Sequence, residues 1–281
     1  MIVKPETKSY KDFELILPSF KCNRDCPYCT AKITQWPERE LDLVKFEETL
    51  TSLEENGYRF KYFILCGNGE PSLYSLEDLS QIFTSVAKHR ELFKYLRVQT
   101  SGNLFFEIDK LKVLPKDTII EITRVHRDFG KDKAVLKYVM NYTETEAFKK
   151  WENIRLNMVV LNTETAESLI KQAEYYSNEF KNIKTISIKT LNLNTKDGST
   201  DNKYSQWILK NAVSRTECMS IVKEMQALLG EAVLEYKDRY VWRSNNTEIT
   251  LYSAKGKVYG DTHMVYYGNE LVDFNLNTVE I

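Results

Sequence analysis

Three cysteines stand close together in Cys22-Asn-Arg-Asp-Cys26-Pro-Tyr-Cys29. Thiolates are soft ligands for iron and zinc. Three on one short loop can hold three irons of a [4Fe–4S] cube, whereas ordinary clusters take four cysteines. The other two, Cys66 and Cys218, are distant in sequence and read as small buried residues of other elements. Three protein ligands leave one iron open, and an open metal position is where a substrate or cofactor binds. A structural zinc site wants a fourth Cys or His in a second close pair. The histidines, His89, His126 and His263, offer no such pair. An odd cysteine count, clustered behind an N-terminus without an apolar signal region, points to metal ligation in a reducing compartment, the cytoplasm.

Ligands of this kind need a scaffold, and the hydrophobic pattern supplies one. Apolar runs at Phe13–Pro18, Phe60–Cys66, Tyr95–Thr100, Thr118–Thr123, Ile154–Leu161 and Lys184–Lys189 read as buried strands. Helical spacing separates them: Leu43, Phe46, Leu50 and Leu53 before a stop at Gly57, then Leu76, Leu79, Ile82 and Phe83 behind a Ser75–Asp78 capping box. A further helical stretch lies within Lys133 to Trp151, and Thr163 can cap the helix bearing Ala166, Leu169, Ile170 and Ala173. Alternating strands and helices give an α/β fold with a parallel sheet. Six units do not close an eight-stranded barrel of about 250 residues. The expectation is a partial (β/α)6 TIM barrel over residues 1–214. Residues 215–281 then form a small C-terminal antiparallel β extension: a helix over Glu217–Leu229, followed by short strands at 232–236, 240–243, 248–252, 257–259, 264–267 and 271–274. The polar stretch Asn192–Lys203 reads as an exposed loop.

Composition excludes several classes. Hydrophobic residues are 42% and charged residues 28%, which fits a globular chain and not a disordered one. Lys+Arg 39 against Asp+Glu 40 lacks the basic excess of a nucleic-acid surface. No apolar run reaches the roughly 18 residues that a membrane span requires.

The spacing C-x3-C-x2-C with Tyr28 before the last cysteine resembles the signature of the radical S-adenosylmethionine (radical SAM) enzymes. The resemblance covers residues 12–192. It implies that the open iron chelates the amino and carboxylate groups of S-adenosylmethionine. One electron then cleaves the sulfonium, and a 5′-deoxyadenosyl radical abstracts hydrogen from substrate. It also implies a Gly-Gly-Glu-type turn after the second strand that holds the methionine amino group. Gly67-Asn68-Gly69-Glu70-Pro71 stands there, with glycines that let the main chain approach a ligand. The polar turn after the third strand corresponds to Thr100-Ser101-Gly102-Asn103. After the fourth strand, Arg124 and His126 stand at the same rim, where a cation can pair with the methionine carboxylate. Asn157 on the fifth strand resembles the Asn that reaches the adenosyl group in the molybdenum-cofactor cyclase branch. That cyclase carries a second cluster in its C-terminal region. Beyond residue 66 this chain has only Cys218, so no auxiliary cluster is expected.

The favoured reading is a single-cluster enzyme acting on a small, nucleotide-like molecule, reduced by a flavodoxin or ferredoxin-type donor. The alternative is a glycyl-radical activase or peptide modifier with a protein partner, although only residues 1–21 precede Cys22 to hold a leader peptide. A non-catalytic electron-transfer protein would have no use for the Gly67–Pro71 segment.

Overall fold

The computed structural model describes residues 7–18, 21–34, 38–124, 142–191, 202–235, 239–244, 247–252 and 263–272. The chain divides into two compact units. One holds Met1–Cys22, Gln35–Ile120 and Lys257–Ile281; the other holds Asn23–Thr34 and Glu121–Gly256.

In the first unit, β1 (Lys8–Leu17), β2 (Tyr58–Gly67) and β3 (Phe93–Thr100) pair in parallel, and the start of β4 (Ile119–Arg124) follows β3 in the strand order. Phe13 and Leu15 of β1 sit beside Phe63 and Leu65 of β2, all fully buried. Among the described residues, two α-helices belong to this unit. Helix α2 (Leu43–Glu55) follows α1 (Thr30–Thr34) of the other unit, and α3 spans Leu76–Lys88. Helix α2 is capped by Asp42, which accepts from the amides of Val44 and Lys45, and it buries the expected Phe46, Leu50 and Leu53. Ser75 caps α3 through the Asp78 amide.

The second unit continues from Glu121 of β4 to β5 (Ile154–Val160) and β6 (Ile183–Thr190), which pair in parallel. Between them run α4 (Glu146–Lys150) and α5 (Ala166–Glu179). The cap of α5 is Thr165 rather than Thr163: Thr165 directly precedes the first helical residue, so its hydroxyl reaches the Ser168 amide. Of the expected loop at Asn192–Lys203, residues 192–201 lie outside the described residues; Asn202 caps α6 (Lys203–Asn211), its side chain accepting from the amides of Tyr204 and Ser205. Helix α7 (Arg215–Leu229) begins two residues before its expected start, at a Ser214–Glu217 capping box.

The C-terminal strands depart from the expected self-contained extension. Antiparallel pairing is present: β7 (Val233–Glu235) with β8 (Arg239–Ser244), β8 with β9 (Thr247–Tyr252), and β10 (His263–Tyr267) with β11 (Glu270–Val272). Yet β9 joins β6 in parallel in the second unit, and β10 joins β1 in parallel in the first. These strands add to the sheet of each unit because β1 and β6 otherwise present bare edges. The expected strand at 257–259 lies outside the described residues. The result is an α/β fold with a mostly parallel sheet that does not close. Among the described residues, no helix is long and apolar enough to cross a membrane.

Pairing register sorts the second unit's sheet into two faces. Leu156 pairs with Ile186, Met158 with Ile188, and Ile249 and Leu251 follow on β9, giving one apolar face. The other carries Arg155, Asn157, Thr185, Ser187, Lys189 and Thr250. A purely structural parallel sheet is apolar on both faces. The polar face is therefore where this unit departs from packing requirements alone.

Candidate active site

In the first unit, the turn after β2 is built around Lys21, the residue before Cys22. The Glu70 amide donates to the Lys21 carbonyl at 2.7 Å. A Cβ on Gly69 would lie 1.9 Å from that carbonyl oxygen, so only glycine permits the contact. The group lodged against this glycine's Cα is the backbone of Lys21, the residue before Cys22. Asn68 is buried and turned the same way, with its side-chain amide at 3.5 Å from the Pro18 carbonyl and 3.4 Å from the Tyr267 hydroxyl. Gly67 precedes it at the end of β2.

Glu70 is only 2% exposed. Its Oε1 accepts from the Thr100 hydroxyl at 2.5 Å and the Ser72 amide at 3.4 Å, and its Oε2 accepts from the Ser101 amide at 2.6 Å. It therefore caps the short turn Pro71–Leu73 and clamps the end of β3 to the end of β2. A carboxylate offers about four acceptor sites, and three are taken, leaving room for one more donor such as an ammonium. The Thr100 hydroxyl also accepts from the amides of Gly102 and Leu104. Gly102 adopts φ 101°, a left-handed conformation, which turns the chain into the buried Asn103. Among the described residues, the buried Ser101 Oγ has no hydrogen-bond partner.

In the second unit, Cys26 and Cys29 are joined by a turn, with the Cys29 amide on the Cys26 carbonyl at 3.2 Å. The Cys29 carbonyl receives the amides of Lys32 and Ile33 as α1 begins. Between the first two cysteines, Asp25 is bound by Lys32 and, at 2.8 Å, by the Tyr204 hydroxyl from α6. The Lys32 hydrogen bond, followed by that of Tyr204, holds the Asp25 carboxyl down at about 2. The Tyr28 ring sits 6.0 Å from that of Trp207, also on α6. Helix α6 thus grips the cysteine loop at two points. Sequence reasoning missed it, although Asn202 followed by the Tyr204, Trp207 and Ile208 spacing was a helix signal.

Also in this unit, Glu121 of β4 is 1% exposed and Asn157 of β5 4%. The Glu121 Oε1 accepts from the Asn157 side-chain amide and, at 2.8 Å, from Lys189 of β6; Arg155 lies 4.0 Å from Oε2. Neither Glu121 nor Lys189 was singled out as a cofactor contact from sequence. A lone carboxylate inside a strand pattern gives no hint that two cations face it. Arg124 is the last residue of β4, and His126 lies outside the described residues.

All five cysteines are thiols: Cys22, Cys26, Cys29 and Cys66 are partly buried and Cys218 is buried. Cys66 packs against Ile16, Val265, Tyr267 and Val272, and Cys218 lies in the buried stripe of α7 with Ile221 and Val222. Both fit the core role expected of them. Among the described residues, no three His, Cys, Asp or Glu side chains are gathered closely enough to hold a metal ion. The donor set still suits an iron–sulfur cluster in its chemistry: three partly buried thiols on one loop, anchored at its start by Lys21 and in its middle by Asp25.

The sequence matches no known family profile and no curated protein. The fold is shared with solved structures. Streptococcus suis SuiB, bound to its precursor peptide SuiA, superposes with a TM-score of 0.62 at 13% identity, over 93% of this chain and 59% of its own. The enzyme anSMEcpe, with bound AdoMet and a Cp18Cys peptide, gives 0.51 at 18% identity, over 78% and 60%. HydG, a maturase of the [FeFe]-hydrogenase, gives 0.52 at 13% identity, over 78% and 49%. These are radical SAM enzymes, and the chain has their partial-barrel fold. It spans between 49% and 60% of the length of these matched chains.

Proposed function

We propose that this chain is a radical SAM enzyme that holds one [4Fe–4S] cluster on Cys22, Cys26 and Cys29 and binds S-adenosylmethionine at it. The observation that carries the reading is the fit of Gly69 and Glu70 against Lys21, which ties the turn after β2 to the first cysteine. The shared fold supports it independently. When bound, the cluster and S-adenosylmethionine supply one-electron cleavage of the sulfonium and hydrogen-atom abstraction.

The chain's own residues have binding and positioning tasks. Glu70, with Thr100 and Ser101 held to it, presents a buried carboxylate edge and backbone to the methionine ammonium. Asn68 and Gly67 fix that turn, and Asn103 follows on the next. Tyr28 shields the loop on the α6 side. Lys32 offsets the charge of Asp25, and the Tyr204 hydroxyl donates to it, so that the carboxylate repels the thiolates beside it less. Asn157 faces the adenosyl group, and Arg124 and His126 are assigned to the carboxylate end. A flavodoxin or ferredoxin-type protein is the electron donor.

For substrate, the polar face around Glu121, Asn157 and Lys189 favours a small polar molecule that satisfies buried hydrogen-bonding groups. Peptide modification is the second reading, favoured by SuiB and anSMEcpe, both solved with a bound peptide.

Anaerobic reconstitution tests the assignment. About four irons per chain are expected, with reductive release of 5′-deoxyadenosine. Stoichiometric zinc without iron would overturn it. Turnover with deuterated cell extract, split into small-molecule and peptide fractions, then assigns the substrate class by which fraction delivers deuterium to 5′-deoxyadenosine.

A further inference from the structure

The cluster around Glu121 holds more positive charge than its carboxylate offsets. Lys189 lies 2.8 Å from Glu121 Oε1 and Arg155 4.0 Å from Oε2, and among the described residues neither cation has a second acidic partner. One carboxylate facing two cations leaves a positive charge without a counter-ion. Such a charge, partly withdrawn from water, is costly, and a bound anion lowers the cost. The Arg155 side chain is enclosed at 11% exposure, whereas that of Lys189 is 40% exposed and is the cation a ligand can reach.

Pairing register sets further donors beside Lys189. It stands opposite Tyr252 of β9, and Tyr252 stands opposite Arg239 of β8. Lys189 is the penultimate residue of β6 and Tyr252 the last of β9. This rung therefore lies at the carboxyl ends of parallel strands, where open α/β sheets receive ligands. Arg239 is engaged within the fold: it donates to Glu248 at 2.8 Å, sits 5.8 Å from the centre of the Tyr252 ring, and has Glu235 of β7 next in register. The Tyr252 carbonyl accepts from the Thr190 hydroxyl at 3.4 Å, and among the described residues the Tyr252 hydroxyl makes no hydrogen bond. An ammonium has three donors and no acceptor, and Lys189 gives one to Glu121. What remains at this end of the sheet is ammonium N–H, a phenol and a positive charge, the complement of an oxyanion.

We propose that Lys189 and Tyr252 bind the anionic group, a carboxylate or a phosphate, of a small-molecule substrate. The inference rests on the radical SAM reading above and narrows its substrate class to anions. It also gives β9, a strand of the C-terminal region, a part in the site.

The test uses anaerobically reconstituted protein and a deuterated small-molecule extract split on an anion-exchange column. The retained fraction should deliver deuterium to 5′-deoxyadenosine, and the flow-through should not. Alkaline phosphatase treatment of the retained fraction distinguishes the two sources of charge: lost transfer marks a phosphate, and persisting transfer a carboxylate. The amount of retained fraction giving half-maximal transfer should rise roughly tenfold in Tyr252→Phe and tenfold to a hundredfold in Lys189→Met, the range for hydrogen bonds to a charged group. Lys189→Arg keeps the charge and should recover most of the loss. Calorimetry should give all three variants the wild-type affinity for S-adenosylmethionine. A merely structural role would lower the melting temperature and leave the half-maximal amount unchanged. Transfer from the flow-through, from the peptide fraction or from no fraction overturns the inference. So does an unchanged requirement in Tyr252→Phe, which decides the matter if Lys189→Met does not fold. Weakened binding of S-adenosylmethionine in Tyr252→Phe and Lys189→Met, with the extract requirement unchanged, assigns the pair to the cofactor and overturns it as well. Wild-type protein that holds iron and releases no 5′-deoxyadenosine instead defeats the radical SAM reading, and is recognised before any fraction is tested.

Discussion

Gly69→Ala is the sharpest perturbation this fold offers. The added methyl would stand 1.9 Å from the Lys21 carbonyl oxygen and 2.5 Å from its carbon, against 3.4 Å for an ordinary contact. Both partners are backbone, so no side chain can rotate to relieve it. The turn and the Lys21 segment must part by about 1.5 Å. That separation breaks the 2.7 Å bond from the Glu70 amide to the Lys21 carbonyl. Overpacking costs about 1–3 kcal/mol and the lost hydrogen bond about 0.5–1.5, or roughly 2–4 together. At about 2–4 °C per kcal/mol for a chain of this size, the melting temperature should fall by roughly 5–15 °C. Iron content should fall with it, because the displaced residue is covalently joined to Cys22. Gly67→Ala is the graded control: its nearest contact is 3.1 Å, to the Gly69 amide, so a smaller shift suffices. Circular-dichroism melts and iron assays on anaerobic protein provide the readout. Gly69→Ala protein that melts with the wild type and holds wild-type iron would refute the packing argument and the placement of Cys22 with it.

Cys22→Ala, Cys26→Ala and Cys29→Ala should each abolish cleavage of S-adenosylmethionine, whereas Cys66→Ala and Cys218→Ala should retain iron. Loss of the cluster in Cys66→Ala would make Cys66 a fourth ligand and end the open-iron argument. Glu70→Gln should still assemble the cluster, and its affinity for S-adenosylmethionine should drop about tenfold or more, the worth of a charge-assisted bond. Unchanged affinity with a lowered melting temperature would leave Glu70 as a brace between the two turns and nothing else. Burial pushes the Tyr266 phenol up to about 12. The folded state therefore keeps a proton that the unfolded chain loses near 10, and stability should decline as pH rises from about 10 toward 12, by at most about 2–3 kcal/mol. Tyr266→Phe should flatten that decline in pH-dependent melts; an identical decline in both proteins would show that another group causes it.

Much of the scaffold is legible because burial leaves a periodic trace. The apolar run at Phe60–Cys66 falls inside β2, and the stripe of Phe46, Leu50 and Leu53 is the buried face of α2. What the sequence conceals is pairing between distant strands. The run at 264–267 is apolar throughout, because β10 is buried fully along its length. Nothing in it distinguishes an antiparallel partner in the C-terminal region from a parallel partner such as β1, more than 240 positions earlier. Helix α6 was hidden for a different reason. It exposes much of its surface, so a polar sequence and a loop look alike until its cap is noticed.

The site shows the same division between type and partner. A Gly-x-Gly-Glu turn after a strand announces close approach, but not what approaches. Gly69 turns out to admit the Lys21 carbonyl, and Glu70 to receive Thr100, Ser72 and Ser101. A motif that serves a ligand must first be held rigid, since a carboxylate free to rotate loses much of its binding energy as entropy. The bonds that fix Glu70 are therefore conditions of its use, not competitors for it, so long as one acceptor position stays open. Asn157 obeys the same rule: Glu121 takes its NH2 and leaves its oxygen. In both places, the group available for chemistry is what remains after the fold has taken its share. That remainder cannot be counted until every partner is known.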